Sequence, residues 1–315
     1  MRYGLPYKGS KNSIAEWIVS QLPKAEHFVD LFFGGGAITH RAMLTGKYKY
    51  FTVNDIDGRL PKLFLECAHG LHTTATHPEW VSREQFNSEK ETDAYIALVW
   101  SFGNNGVDYL YGADIEPFKK ALHYACFYND LSLMNESGIT LKETSEPNIY
   151  KRYLIYKRQL EEMKQKPQYC ENLTRAVEIE RLQSLQSLQR LQSLQSLQSL
   201  QSLQRDYQQV KIPDGALIYC DPPYKATECG KYAGFDSERF YKWAEKQDNI
   251  FISEYEMPDN FIPVAQTEKV ILSAATGNVG KAVEILFTNE RTWNKLSNEQ
   301  RQIYKLNFAE QITFF

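Results

Sequence analysis

Long apolar runs are missing from this chain of 315 residues. A membrane-spanning helix needs about twenty apolar residues in a row, and no stretch approaches that, so no membrane association is expected. Neither sign of charge dominates: 36 Lys and Arg stand against 39 Asp and Glu, a formal net charge of -3. Any surface that meets a polyanion must therefore be local. Cysteines are few and odd in number: Cys67, Cys126, Cys170, Cys220 and Cys229. None forms a C-x-x-C pair, so neither a disulfide framework nor a zinc site is expected, and the thiols read as reduced groups in the cytoplasm. The polar opening stretch 1–9 lacks an apolar segment, so no secretory signal is read there. What the chain does have is apolar content, 43% of its residues, enough for a packed core in one large domain or two ordinary ones.

The most informative stretch is Ala216-Leu217-Ile218-Tyr219-Cys220-Asp221-Pro222-Pro223-Tyr224. Five mostly apolar residues read as a buried strand. Two prolines, which cannot donate to a sheet ladder, end it. An acid and an aromatic ring are thus held just beyond the carboxyl end of a strand, the rim where open α/β sheets bind ligands. A strand followed by an ordinary Pro-Pro turn is the plainer reading.

Nearer the start, Ser13 and Glu16 have the spacing of a capping box ahead of a helix. His27 to Phe32 reads as a strand running into Phe32-Phe33-Gly34-Gly35-Gly36. A helix from Ala37 to about Thr45 follows, with Gly46 as its C-cap. Tyr48 to Val53 is the next strand, ending at Asn54-Asp55. Strand, glycine turn, helix, strand and acid make a nucleotide-type pocket, in which glycines let a ligand approach a helix N-terminus and Asp55 accepts from ribose hydroxyls. A dinucleotide fingerprint fails, because Thr39 stands where the third glycine belongs. A plain βαβ unit with a tight turn is the other reading.

Asp-Pro-Pro-Tyr resembles the catalytic motif of DNA amino-methyltransferases. Asp30-Leu31-Phe32-Phe33-Gly34-Gly35-Gly36 is similar to the F-x-G-x-G motif of S-adenosyl-L-methionine-dependent adenine methylases. Pro6-Tyr7-Lys8-Gly9-Ser10-Lys11 is similar to the N-terminal motif of the Dam-like group, the D12 class. The motif order matches that group's α arrangement. The resemblance implies a cofactor site of Tyr7, Lys11, Asp30, Phe32, Gly34, Gly36, Asp55 and Asp221. Tyr7 stands where the family usually has tryptophan. It implies a catalytic set of Asp221, Pro222, Pro223 and Tyr224. There, the Asp221 carboxylate and the Pro222 carbonyl polarise an exocyclic amine, and Tyr224 offers a face to an extruded base.

Between these motifs the pattern changes. The stretch 100–112 is rich in aromatics, amides and glycines. In the Dam-like group a segment here recognises the target, which implies DNA contacts from Asn104, Asn105 and Tyr109. A glycine-punctuated loop with packed aromatics accounts for the stretch equally well. Ile149 to Lys166 interleaves basic and apolar residues and reads as a solvated helix face, with a helix laid on a phosphate backbone as the other reading. Leu182 to Gln204 repeats Leu-Gln-Ser, with Arg190 in place of one serine. Leucines three apart spiral around an α-helix, and only a 3₁₀-helix aligns them. The repeat is therefore expected to project from the fold with exposed leucines, away from the chemistry. Further on, Ser237 to Lys246 reads as a helix and Asn249 to Tyr255 as a strand. Val270 to Ala274 and Ala282 to Thr288 read as a hairpin joined through Thr276-Gly277-Asn278-Val279-Gly280, and the tail from Asn294 to Phe315 as a polar helix with a final apolar strand or extension.

The expected fold is α/β, a Rossmann-like S-adenosylmethionine-dependent methyltransferase with a mostly parallel sheet, a closing antiparallel strand and a largely helical insert. Residues 1–70 and 210–315 form the expected catalytic domain, and 71–209 an inserted target-recognition region. The expected activity is site-specific methylation of adenine N6 in double-stranded DNA by a cytoplasmic monomer, in a restriction-modification setting and without metal. Cytosine-N4 methylation, whose enzymes more often carry Ser-Pro-Pro-Tyr, and an inactive DNA-binding homologue are the alternatives.

Overall fold

The structure is a computed structural model, described over residues 3–163, 174–224, 234–272 and 279–312. Seven strands form one sheet: β1 (His27–Asp30), β2 (Tyr50–Asn54), β3 (Leu200–Leu203), β4 (Leu217–Cys220), β5 (Ile250–Glu254), β6 (Phe261–Leu272) and β7 (Val279–Asn289). Their order across the sheet is β3-β2-β1-β4-β5-β7-β6. The first five run parallel, and β7 lies antiparallel between β5 and β6. Strands β1, β4 and β5 are buried along nearly their whole length. Near-continuous apolar strands are what a parallel sheet covered on both faces requires.

Helices α1 (Ala15–Gln21), α2 (Ala37–Met43) and α3 (Arg59–Ala68) accompany the first two strands. The crossover from β2 to β3 carries α4 (Arg83–Glu89), α5 (Ala94–Val99), α6 (Glu116–Tyr128), α7 (Ser132–Glu136), α8 (Ile149–Glu162), α9 (Val177–Gln186) and α10 (Gln195–Gln198). Among these, α6, α7, α8 and the start of α9 bury a core of their own, with Leu122, Tyr153, Tyr156, Leu160 and Ile179 at its centre. Then come α11 (Ser237–Ala244), α12 (Glu290–Lys295) and α13 (Asn298–Ile312). The expected α/β architecture with an antiparallel closing strand and a helical crossover is therefore what the chain adopts.

Several local expectations fail. Ser13 and Glu16 form no capping box; the residue before α1 is Ile14, and no side chain caps the helix. The first hairpin strand starts at Phe261 rather than Val270 and carries an irregularity between Pro263 and Ala265, where the missing proline N–H breaks the ladder. Of the expected joining residues 276–280, 276–278 lie outside the described residues, while Val279 and Gly280 already belong to β7, which starts at Val279 rather than Ala282. In the tail, α13 runs from Asn298 to Ile312, and residues 313–315, on which the expected final apolar strand or extension falls, lie outside the described residues.

The largest correction concerns the Leu-Gln-Ser repeat, which does not project away. Leu182, Leu185, Leu188 and Leu191 are each 0–2% exposed and pack into the main core with Leu60, Leu63 and Phe64 of α3. The chain changes helix type within the repeat: α9 ends at Gln186, and a 3₁₀ turn from Ser187 to Leu191 follows. In a 3₁₀ turn residues three apart eclipse, so Leu188 and Leu191 point the same way. After α10 the same triplet becomes β3, paired in parallel with β2 from Phe51↔Leu200 to Asn54↔Leu203. One repeated unit thus serves as α-helix, 3₁₀-helix and edge strand, because its leucine is placed inward by whichever geometry the neighbouring elements leave open.

Candidate active site

Strand order reverses between β1 and β4: the chain proceeds from β1 to β2 on one side, and β4 lies on the other. Asp30 ends β1 opposite Tyr219 of β4, and Asp221 follows β4 by one residue. Both acids therefore stand at the topological switch point, the crevice where open α/β sheets bind ligands.

The N-terminal segment lies across the glycine turn. Leu5 donates its N–H to the Gly35 carbonyl at 2.6 Å, and Tyr3 and Leu5 are buried. Gly36 has φ +68°, and a Cβ there would meet Phe33 Cζ at 2.3 Å. At Gly34, φ is +50° and a Cβ would lie 3.2 Å from Tyr7 Cε1. The glycines are therefore required by backbone handedness and by the rings of Phe33 and Tyr7, whereas ligand space alone was the expected reason. Gly36→Val is expected to destabilise the fold by about 1–2 kcal/mol from the left-handed backbone alone, with the Phe33 clash added. Gly46→Ala is the control, since its φ is +66° and nothing lies within 4 Å of its Cβ position. Thermal unfolding compares them, and a Gly36→Val melt no lower than that of Gly46→Ala contradicts the packing argument.

Asp55 closes the other side of the turn. Its Oδ2 accepts from Gly34 N at 2.7 Å and its Oδ1 from Asp57 N at 2.9 Å. Beside it Ile56 is 63% exposed, an apolar surface at the rim that sequence reading passed over. Asp30 is buried; its Oδ2 accepts from Thr39 Oγ1 at 2.7 Å, while Oδ1 has no hydrogen-bond partner among the described residues. Burial, outweighing the Thr39 bond, pushes the Asp30 carboxyl up to about 7, and the charges of Asp221 and Asp55 add to the rise. Phe32 turns to the other side, packed against Tyr207, Phe235 and Phe240.

Around Asp221 the structure assembles residues from four parts of the chain. Lys11 is 4% exposed, and its Nζ lies 2.5 Å from Asp221 Oδ1 and 3.6 Å from Glu284 Oε1. The same ammonium sits 4.6 Å from the centre of the Tyr224 ring. Burial would lower the Lys11 pKa, but the charges of Asp221 and Glu284 outweigh it and hold the group above its usual value. Tyr224 donates its hydroxyl proton to Glu284 Oε1 and meets Tyr255 edge-on, ring centres 4.6 Å apart. Burial and then the two carboxylates push the Tyr224 phenol well up, so it remains protonated. Glu254, at the end of β5, is buried, and that burial pushes its carboxyl up to about 8. Glu284 is the residue sequence reading missed. It shares a strand face with Leu286 and Thr288, both fully buried, so the two-residue alternation of β7 marked it as an inward charge.

The amide-rich stretch lies elsewhere. Asn104 has φ +57° and donates from Nδ2 to the Leu98 carbonyl at 2.8 Å. Asn105 accepts from Val107 N and Asp108 N through Oδ1 and donates to Asp108, closing its own turn. Tyr109 is 7% exposed, with its hydroxyl on the Val81 carbonyl. These three side chains build the loop, and Phe102 and Val107, 54% and 53% exposed, stand at its tip. Among the described residues no cluster could hold a metal ion, and no helix is long and apolar enough to cross a membrane.

The arrangement holds the Asp221 carboxylate just beyond the carboxyl end of β4, against a buried lysine that also faces Glu284. The family model described as D12 class N6 adenine-specific DNA methyltransferase matches residues 7–275, from Tyr7 through the middle of the chain to beyond the β4 motif. No curated protein matches the chain. A match spanning most of the sequence, together with this fold, shows that the chain belongs to the D12 class of N6 adenine-specific DNA methyltransferases: it is an enzyme that methylates adenine N6 in DNA.

Proposed function

We propose that the methyl donor is S-adenosyl-L-methionine and that its pocket is formed by Tyr7, Asp30, Gly34, Gly36 and Asp55, with Lys11 and Asp221 on the side facing the base and Phe32 packed behind the turn. The single observation that carries this reading is the placement of Asp30 and Asp221 at the carboxyl ends of the neighbouring strands β1 and β4, where strand order reverses. The residues fit the group. A buried Asp30 oxygen without a hydrogen-bond partner among the described residues suits an ammonium, and the Asp55 carboxylate, held at the turn by Gly34 N and Asp57 N, suits hydroxyl donors. When bound, S-adenosylmethionine supplies the sulfonium methyl group that the amine attacks in line.

The rest is done by the chain. Asp221 accepts one N–H of the adenine amino group and the Pro222 carbonyl accepts the other. Two acceptors draw the lone pair out of conjugation with the ring and make the nitrogen a better nucleophile. Pro222 and Pro223 fix the backbone, so the carbonyl is already aimed. Tyr224 stacks on a base turned out of double-stranded DNA. No covalent enzyme intermediate is needed: Cys220 is fully buried within β4, and that burial pushes its thiol well up, away from thiolate character.

In this reading residues 1–70 and 210–315, joined by β3, form the catalytic unit, and the remainder of 71–209 carries target recognition. Loop 102–111 meets DNA, with Asn104, Asn105 and Tyr109 shaping it and Phe102 and Val107 at its surface. This reading takes the enzyme to be a monomer working in the cytoplasm. Sequencing with modified-base detection on DNA from cells expressing the protein tests the reading: N6-methyladenine in one sequence context is expected, and N4-methylcytosine or no modification overturns it.

Cofactor affinity should depend on pH through Asp30. Its folded pKa of about 7 lies above the ordinary carboxylate value of 3.8, so the group binds a proton in the folded protein and costs stability as pH rises from 3.8 through about 7. An ammonium beside it favours the ionised form. Affinity for S-adenosylhomocysteine is therefore expected to be higher at pH about 8 than at about 6, and this difference should vanish in Asp30→Asn. Calorimetry at the two pH values checks it, and an equal pH dependence in both proteins rules Asp30 out.

A further inference from the structure

We propose that Glu284 is a positioning residue for methyl transfer: it fixes the Tyr224 ring through the hydroxyl and draws Lys11 partly off Asp221. The inference deepens the proposed mechanism and rests on its assignment of Asp221 and Tyr224. Glu284 lies on β7, beyond the stretch 7–275 that the family model matches.

One lysine serves two carboxylates here. Lys11 Nζ is 2.5 Å from Asp221 and 3.6 Å from Glu284. An ammonium held by Asp221 alone would compete with the adenine amino group for the same carboxylate. A second buried carboxylate shares that charge and leaves Asp221 a stronger acceptor. Glu284 is also the acceptor for the Tyr224 hydroxyl, which sets the ring orientation against Lys11 on its face and Tyr255 at its edge. The side chain is fully buried, so it cannot touch DNA itself. The Lys11 ammonium is faced by Asp221 after β4, Glu284 on β7, Tyr224, and Glu254 and Tyr255 at the end of β5.

Glu284→Gln keeps an acceptor for Tyr224 and removes the charge. The expected result is a fall in kcat of roughly ten- to a hundredfold, since small misplacements at a reacting centre cost that much. The KM for S-adenosylmethionine should be unchanged. Its alkaline limb is the second readout. Glu284 helps raise the Lys11 pKa against burial, so without it Lys11 loses its proton at lower pH, and the alkaline change in activity should move to lower pH than in the wild type. Tyr224→Phe, which removes only the hydroxyl, should also lower kcat. Combined with Glu284→Ala it should cost less than the product of the two single losses, because both remove one bond.

Single-turnover tritium transfer from labelled S-adenosylmethionine over a pH series, with Asp221→Ala measured alongside, decides the matter. Wild-type kcat and pH profile in Glu284→Gln, with Asp221→Ala inactive, overturn the role of Glu284 alone. A Tyr224→Phe enzyme with full turnover, or fully multiplicative losses in the double variant, overturns it too. Turnover retained in Asp221→Ala instead overturns the mechanism beneath it.

Discussion

Methyl incorporation into DNA is expected to fall by roughly 10²- to 10³-fold or more when Asp221 is replaced by alanine, the usual loss when one pre-aimed electrostatic group is removed from a transition state. Two effects combine. The amine loses its carboxylate acceptor, and Lys11, buried at 4% exposure, keeps only the more distant carboxylate of Glu284 among its ion-pair partners. A buried ammonium with one partner removed is destabilised, and its pKa drops, because burial is then opposed by less negative charge. Asp221→Asn should be milder, since an amide oxygen still accepts one bond and the side chain keeps its volume. Tritium incorporation from labelled S-adenosylmethionine measures both variants, and circular dichroism confirms that they are folded. Alanine turnover within a few-fold of wild type would remove Asp221 from the catalytic set.

The second large effect is on stability and concerns the Leu-Gln-Ser repeat. Leu185→Ala and Leu188→Ala are each expected to cost about 2–5 kcal/mol, the usual range for emptying a fully buried leucine site. Both side chains are 0% exposed and lie against α3, whose own Leu63 and Phe64 fill the other side of that core. Gln192→Ala, in the exposed turn after the 3₁₀ segment, should change little. Removing whole triplets between Leu185 and Leu200 should also destabilise the protein. The chain must still reach β3, where Ser199 Oγ bonds the Lys49 carbonyl at 2.8 Å and the Asp55 N–H reaches the Leu203 carbonyl at 3.3 Å. Chemical denaturation with an unchanged midpoint in the two leucine variants would show that the repeat is not part of the core.

The β3 link bears on function as well as stability. Asp55 follows β2 directly, and its backbone N–H is held by Leu203. Asn54 bonds across to both Leu31 and Arg205 carbonyls. The repeat thus braces the end of β2 that carries the acid of the proposed cofactor pocket. Sequence periodicity suggested a tolerant projection, because leucines at a period of three match neither an α-helix nor a strand when one geometry is assumed throughout. The chain assumes three in succession, and tertiary neighbours choose each.

Local backbone chemistry by itself determined much of this protein. Two prolines after a run of apolar residues end a strand wherever they occur, so the position of Asp221 at a strand's carboxyl end was readable from the sequence. Glycines in a strand-to-helix turn announce left-handed backbone, and Gly34 and Gly36 have it. The order of strands, turns and helices around these motifs led to the α/β sheet, and the family resemblance to its antiparallel closing strand. Long-range placement was not readable. Nothing local tells Lys11 that Asp221 stands 210 positions on, or that a glutamate on β7 will share it. Nothing in Asn104 or Asn105 says that their amides will close their own loop. Such contacts depend on which strands become neighbours and which faces turn inward, and burial of apolar surface over the whole chain decides that. The tertiary structure therefore decided the second carboxylate at the site, the work of the repeat and the partners of every buried charge.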